Sequence, residues 1–160
     1  MKVIINIFLL VVLVSCNSQK NISGNYNFKT QCLGIELDGS QTLKVWGKGR
    51  NRFDAVEQAK KTAVNDVLFK GILDGAQQCE KRPLLPEVNA RQNYESYFNL
   101  FFTDKGEYLN FVILKDERIL KRIFRKKIRT GQEVTYSAIT RVLRPQLQQK
   151  LITDGIIKTK

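Results

Sequence analysis

Histidine is absent from this chain of 160 residues. That removes Ser-His-Asp and Cys-His catalysis and any zinc site that uses imidazole. Three cysteines are too few for an all-thiolate zinc site, which takes four. Acid is scarce as well: 15 Asp+Glu stand against 27 Lys+Arg, a formal charge of +12. No apolar run is long enough to span a bilayer. The longest, from Val3 to Val14 and broken only by Asn6, covers about 18 Å as a helix, against a hydrocarbon core of about 30 Å. At 42% apolar residues the chain is too hydrophobic for disorder and too polar for a multi-span membrane protein. Its length predicts one domain with a tail.

The short apolar run, preceded by Lys2, reads as the h-region of a signal peptide. It ends in Leu13-Val14-Ser15-Cys16, which resembles the lipobox of bacterial lipoproteins at all four positions. The resemblance implies diacylglycerol on the Cys16 sulfur, cleavage before that residue, and a further palmitate-class acyl chain on the new N-terminus. Two or three chains anchor stably where one does not. The plainer reading is an ordinary signal peptide with a chance cysteine. The lipoprotein reading divides the chain into a signal peptide over 1–15, a lipidated polar tether over 16–30 and one domain over 31–160. Cleavage would remove one lysine and no acid, leaving a charge of +11. Position 17 is Asn rather than Asp, and no acid precedes Glu36. These features point to the periplasmic face of the outer membrane.

Cys32 and Cys79 are the other two thiols. In an oxidising compartment they form a disulfide; otherwise they remain two separate, partly buried thiols. No histidine is present to activate either as a nucleophile.

Alternation over 32–37 and 41–47, joined by Asp38-Gly39, predicts a hairpin with Leu33, Ile35 and Leu37 on one face. From Arg52 to Ile72 the spacing is helical. Val56, Ala59, Ala63, Val67 and Leu68 fall on one side, Ala55, Ala59 and Ala63 form a narrow stripe, and Lys60, Lys61 and Asp66 face away. A loop over 71–86 and a second helix over 88–102 follow, the latter lined by Tyr94, Tyr97, Phe98, Phe101 and Phe102 as a core stripe. Residues 108–114 form a strand or continue the helix; Ile119, Leu120, Ile123, Phe124 and Ile128 fit a helix over 118–129, while Thr130-Gly131 and the β-rich segment after it favour a hairpin of 120–129 and 133–143; Pro145 opens a last helix stopped at Gly155. The predicted class is α+β: an antiparallel sheet of about four strands with two to three helices on one face. The strand that ends in Gly47-Lys48-Gly49 and leads into an Ala-rich helix, within 41–72, resembles small envelope lipoproteins related to flagellar outer-membrane assembly factors. That resemblance carries no functional residue across.

Gly47-Lys48-Gly49 starts like a dinucleotide fingerprint, but its third glycine would fall at Arg52. The two glycines instead suit a strand-to-helix turn. Lys115, Arg118, Lys121, Arg122, Arg125, Lys126, Lys127 and Arg129 form the densest basic run, with Asp116 and Glu117 its only acids. Such a run is a solvated face or a surface for anionic partners, with Lys121, Arg122, Arg125, Lys126, Lys127 and Arg129 its candidate contacts. Only Phe124 interleaves it, against a stacking platform for single-stranded nucleic acid. The carboxylate pairs Asp54–Glu57 and Asp116–Glu117 carry no local reason for a raised pKa. No catalytic residue, metal or cofactor is predicted. The expected function is that of a lipid-anchored, non-enzymatic accessory or structural protein of the bacterial envelope. It would be held at the membrane through Cys16 and act by tethering on an envelope protein partner. The alternative is a basic module that binds an anionic envelope polymer, lipid head groups or DNA.

Overall fold

The Asp38-Gly39 turn sets the first hairpin. In the computed structural model, which describes residues 28–115, 128–130 and 133–158, β1 (Gln31–Ile35) and β2 (Gln41–Gly49) pair antiparallel across it. Gly39 sits at φ 78°, and Asp38 Oδ1 accepts from the Ser40 amide at 3.1 Å and the Ser40 hydroxyl at 2.6 Å. The register shifts between Cys32 and Gly34. Shifting pairing by one residue exchanges the two faces of a strand. Cys32 is buried, whereas Leu33, Ile35 and Leu37 are exposed.

Asn51 caps α1 (Arg52–Asn65) by accepting from the Asp54 amide at 3.0 Å. Ala55, Ala59, Ala63 and Val64 are buried in α1. This helix ends sooner than its periodicity predicts and widens into one π-helical stretch, Asp66–Lys70, which stops at Gly71 with φ 73°. The widening turns side chains off their α-helical positions. Asp66, expected to face solvent, is buried, accepts from Thr30 Oγ1 at 2.5 Å and pairs with Lys70 at 3.2 Å.

The expected loop over 71–86 holds a strand of two residues, β3 (Asp74–Gly75), parallel to β1 at Gln31 and Cys32. Beside it the Cys32 and Cys79 sulfurs are bonded at 2.07 Å, with Cα atoms 6.3 Å apart. The expected helix over 88–102 is two shorter ones, α2 (Ala90–Asn93) and α3 (Glu95–Phe101), broken at Tyr94. Its aromatic stripe is core as expected: Phe98 and Phe101 are buried, and Phe98 meets Phe69 edge-on at 4.8 Å. A 3-10 turn, Glu107–Phe111, leads into β4 (Val112–Leu114). After β5 (Ile128–Thr130) and β6 (Glu133–Val142), the chain closes with α4 (Arg144–Thr153), which has Pro145 in its first turn.

The fold is α+β. The sheet runs β3-β1-β2-β6-β4 with β5 also on β6, so it has six strands rather than about four, antiparallel except at β3. β4 and β5 both pair with β6, whose other side is taken by β2. Leu114 lies opposite Thr140 and Ile128 opposite Thr135. Fourteen positions therefore separate two residues whose partners stand five apart. β4 and β5 line the same edge of β6.

α1 packs against β2 and β6. Its side of the sheet carries Leu43, Val45 and Gly47, opposite Thr140, Ala138 and Tyr136. Two glycines make this close approach possible. A Cβ on Gly47 would stand 1.9 Å from the Ala55 carbonyl oxygen, and one on Gly49 would stand 2.5 Å from the Ala55 amide nitrogen. Among the described residues no helix is long and apolar enough to cross a membrane.

Candidate functional site

Where β2 hands over to α1, Gly49, Arg50 and Phe53 border a groove of about 510 Å³, closed from the other side by Asp104, Tyr108 and Glu133. Asp54 and Glu57, one helical turn apart, both reach it. Three of its four carboxylates have a cation beside them: Arg50 lies 3.5 Å from Asp54, Lys60 2.7 Å from Glu57, and Lys61 2.8 Å from Asp104. The Lys61 hydrogen bond and charge hold the Asp104 carboxyl below its ordinary range. Burial, then the nearby Glu57 and Asp104 carboxylates, push the Tyr108 phenol up to about 12. Tyr108 is therefore a protonated donor at neutral pH. The groove thus offers paired charges, a phenol and the exposed Phe53 ring. Such an arrangement suits recognition better than proton transfer, which needs a group poised near the working pH.

The face of the sheet turned away from α1 is organised differently. Successive side chains of a strand alternate between faces, so Lys44, Trp46 and Lys48 form a row there, opposite Ile139, Ser137 and Thr135 of β6. The Phe28 ring packs on Trp46 at 5.2 Å, and the Lys44 ammonium lies 5.6 Å from the Trp46 ring centre. Further along, Arg141 holds Asp38 at 2.6 Å and donates to Ser40 Oγ at 2.6 Å, while Glu36 pairs with Lys115 and accepts from Thr42 at 2.8 Å. Lys115, then Thr42, keeps the Glu36 carboxyl below its ordinary range; Ser40 and then Arg141 do the same for Asp38. Both acids are thus neutralised in place, and Lys48 is exposed.

Of the residues singled out in the sequence, Cys16, Lys121, Arg122, Arg125, Lys126 and Lys127 lie outside the described residues. Arg129 falls in β5, in register with Val134. Cys32 and Cys79 are joined. Asp54 and Glu57 come together at the groove, whereas Asp116 and Glu117 are not described. Among the described residues no group of three or more acids and cysteines could hold a metal ion. Sequence reasoning treated Trp46 only as a strand residue and did not single out Lys44, Lys48 or Tyr108. The available signal was one tryptophan, the only one in the chain, with lysines two residues to either side.

No protein-family model matches the chain, no curated protein matches its sequence, and no solved structure matches its fold.

Proposed function

We propose that this protein is an exported, lipid-anchored domain of the bacterial envelope that acts without catalysis, by holding a basic surface close to the membrane. The observation that carries the reading is the Cys32–Cys79 bond. Disulfides persist in oxidising compartments such as the periplasm and are rare in the cytosol. This supports the export that the Leu13-Val14-Ser15-Cys16 lipobox implies, with two or three acyl chains on Cys16 as anchor. The outer membrane, periplasmic face, is the location this reading assigns, and an envelope protein is its partner. The test is intact-mass analysis of protein from its native host together with detergent phase partition. The expected result is a mature chain beginning at Cys16, carrying diacylglycerol and partitioning with detergent, and a Cys16→Ser protein that stays in the aqueous phase. An unmodified Cys16 with residues 1–15 still attached would overturn the reading.

A second reading, a module for an anionic polymer, draws on where the basic run falls. In sequence that run lies between β4 and β5, the two strands that line one edge of β6. Binding to an anionic matrix should then weaken steeply as salt rises. Retention that ignores salt would remove it.

A further inference from the structure

We propose that the groove between the first turn of α1 and the Lys105-Gly106 turn binds a neutral sugar ring, stacked by its C–H face on Phe53 and held through its hydroxyls by the polar side chains around it. Such a site would stand whether or not Cys16 is acylated, and it gives the groove described above a ligand.

Size and charge narrow the ligand first. A volume of about 510 Å³ lies within the range of small-ligand pockets, about 300–1,000 Å³. Among the described residues, three cations (Lys48, Arg50 and Lys105) and four carboxylates (Asp54, Glu57, Asp104 and Glu133) line it, with Lys60 and Lys61 beside two of the acids. Signs so nearly balanced give an ion of either charge little net attraction. Hydroxyls fit them better. Each hydroxyl both donates and accepts, so a sugar needs donors and acceptors side by side. Lysine and arginine supply donors only, ionised carboxylates acceptors only, and the Gln58 amide supplies both.

Much of this set is already held in place. Asp54 Oδ2 accepts from Asn51 at 3.1 Å and lies 3.5 Å from Arg50, while Asp104 Oδ1 accepts from Lys61 at 2.8 Å. In each acid the second oxygen is left to accept from a ligand. Groups fixed beforehand lose less freedom when the ligand arrives.

The aromatic ring is the second observation. Phe53 is 72% exposed, and its ring meets no other ring and no cation among the described residues. Burial therefore gives no account of it, whereas a flat apolar ring in the wall of a polar groove suits the C–H face of a pyranose. Phe53 and Leu109 are the wholly apolar side chains of the lining, too few to anchor a docked helix.

Lys105 is the third. It stands at φ 64°, in the left-handed region that disfavours a side chain and admits glycine freely. A lysine is nevertheless kept there, on the border of the groove.

The test is calorimetric titration of the full-length protein with neutral tetrasaccharides of N-acetylglucosamine, of β-linked glucose and of α-linked glucose, alongside tetra-alanine and polyglutamate. At least one tetrasaccharide should bind, with a Kd of about 0.1–1 mM. That affinity should hold from about 50 to about 500 mM salt, because no net charge is screened. Phe53→Ala should weaken it about tenfold with the thermal midpoint unmoved, since the ring is exposed. Lys105→Gly should weaken it about threefold without lowering the midpoint, a combination that a merely structural lysine would not give. Leu100→Ala, as exposed at 73% but outside the lining, should change neither. Binding of no tetrasaccharide would overturn the assignment, as would sugar binding that survives Phe53→Ala undiminished. Capture of tetra-alanine in place of every sugar would make the groove a peptide site. Capture of polyglutamate alone, lost as salt rises, would leave only the anionic-polymer reading; both results would overturn the sugar.

Discussion

Replacing Gly47 by alanine tests the contact on which the fold turns. The new methyl would sit 1.9 Å from the Ala55 carbonyl oxygen and 2.5 Å from the Ala59 nitrogen. Both are backbone atoms of α1, so no rotamer change relieves the clash. Ordinary contact begins near 3.4 Å, and strand and helix would have to part by about 1.5 Å. A gap of that order forfeits a quarter to a half or more of the attraction between facing atoms. It would open along Ala55, Ala59, Ala63 and Val64, all of which are fully buried. Overpacking a core usually costs about 1–3 kcal/mol and occasionally more. With rigid atoms on both sides, Gly47→Ala should lie at or above the top of that range, about 3 kcal/mol, and lower the thermal midpoint by roughly 10 °C. Gly34→Ala is the matched control, since its methyl would meet only the end of the Gln78 side chain at 4.0 Å. It should stay within about 0.5 kcal/mol of the parent. Urea and thermal unfolding of the two variants measure the contrast. A Gly47→Ala protein that melts within about 2 °C of the parent would refute the claim that Gly47 sets the helix–sheet distance.

Replacing Cys32 and Cys79 together by alanine should cost about 4 kcal/mol for a crosslink spanning 47 residues, in the chain-entropy account; a thermal midpoint unmoved by reductant would contradict it. Tyr97 is raised by burial and by its hydrogen bond to Asp154, and Tyr108 is pushed up to about 12. Because both folded values exceed the unfolded value near 10, their stabilisation is complete below about pH 10 and is lost as pH rises beyond it. Absorbance titration should show Tyr97 and Tyr108 ionising later in the folded protein than in urea. At the acid end, the hydrogen bond from Tyr97, then Lys150, holds Asp154 below its ordinary range, as Lys61 does Asp104. Their contribution is present above the unfolded carboxylate values and lost as pH falls below about 4; Tyr97→Phe should flatten that acid limb, and an unchanged limb would exclude the pair as its source. The buried Ser137 hydroxyl has no hydrogen-bond partner among the described residues, so Ser137→Ala should shift urea unfolding by less than about 0.5 kcal/mol. A loss above about 1.5 kcal/mol would mean the hydroxyl is satisfied after all.

The parts of this fold that read correctly from sequence are those where local chemistry and tertiary packing agree. Asp38-Gly39 fixes the first turn by its own hydrogen bonds and left-handed glycine, and the alanine stripe fixes the buried side of α1. The misreadings share a cause in long-range contact. The bulge beside Cys32 exchanges the faces of β1, and no local signal marks a bulge. β3 is two residues long and exists only because β1 and the disulfide lie beside it. Tyr94 breaks a run whose aromatic spacing satisfies one helix or two equally well. The lysine–tryptophan row was hidden for a similar reason. Alternation over 43–48 divides β2 into two faces, yet only the seat of α1 against Gly47 decides which of them is core.

The two groups of cations have different explanations. A strand at the edge of a sheet invites pairing with another chain, and proteins blunt such edges with bulges and with lysine. In sequence the basic run falls between β4 and β5, the strands that line one edge of β6, and charge in that part of the chain has a sufficient cause in discouraging such pairing. The opposite side of the sheet needs no such device, because β3 and the Cys32–Cys79 bond cover part of β1. Lys44 and Lys48 are not at an edge. They stand on β2, paired on one side by β1 and on the other by β6. Edge protection is therefore an account of the densest run of positive charge in the sequence and does not reach Lys44 or Lys48.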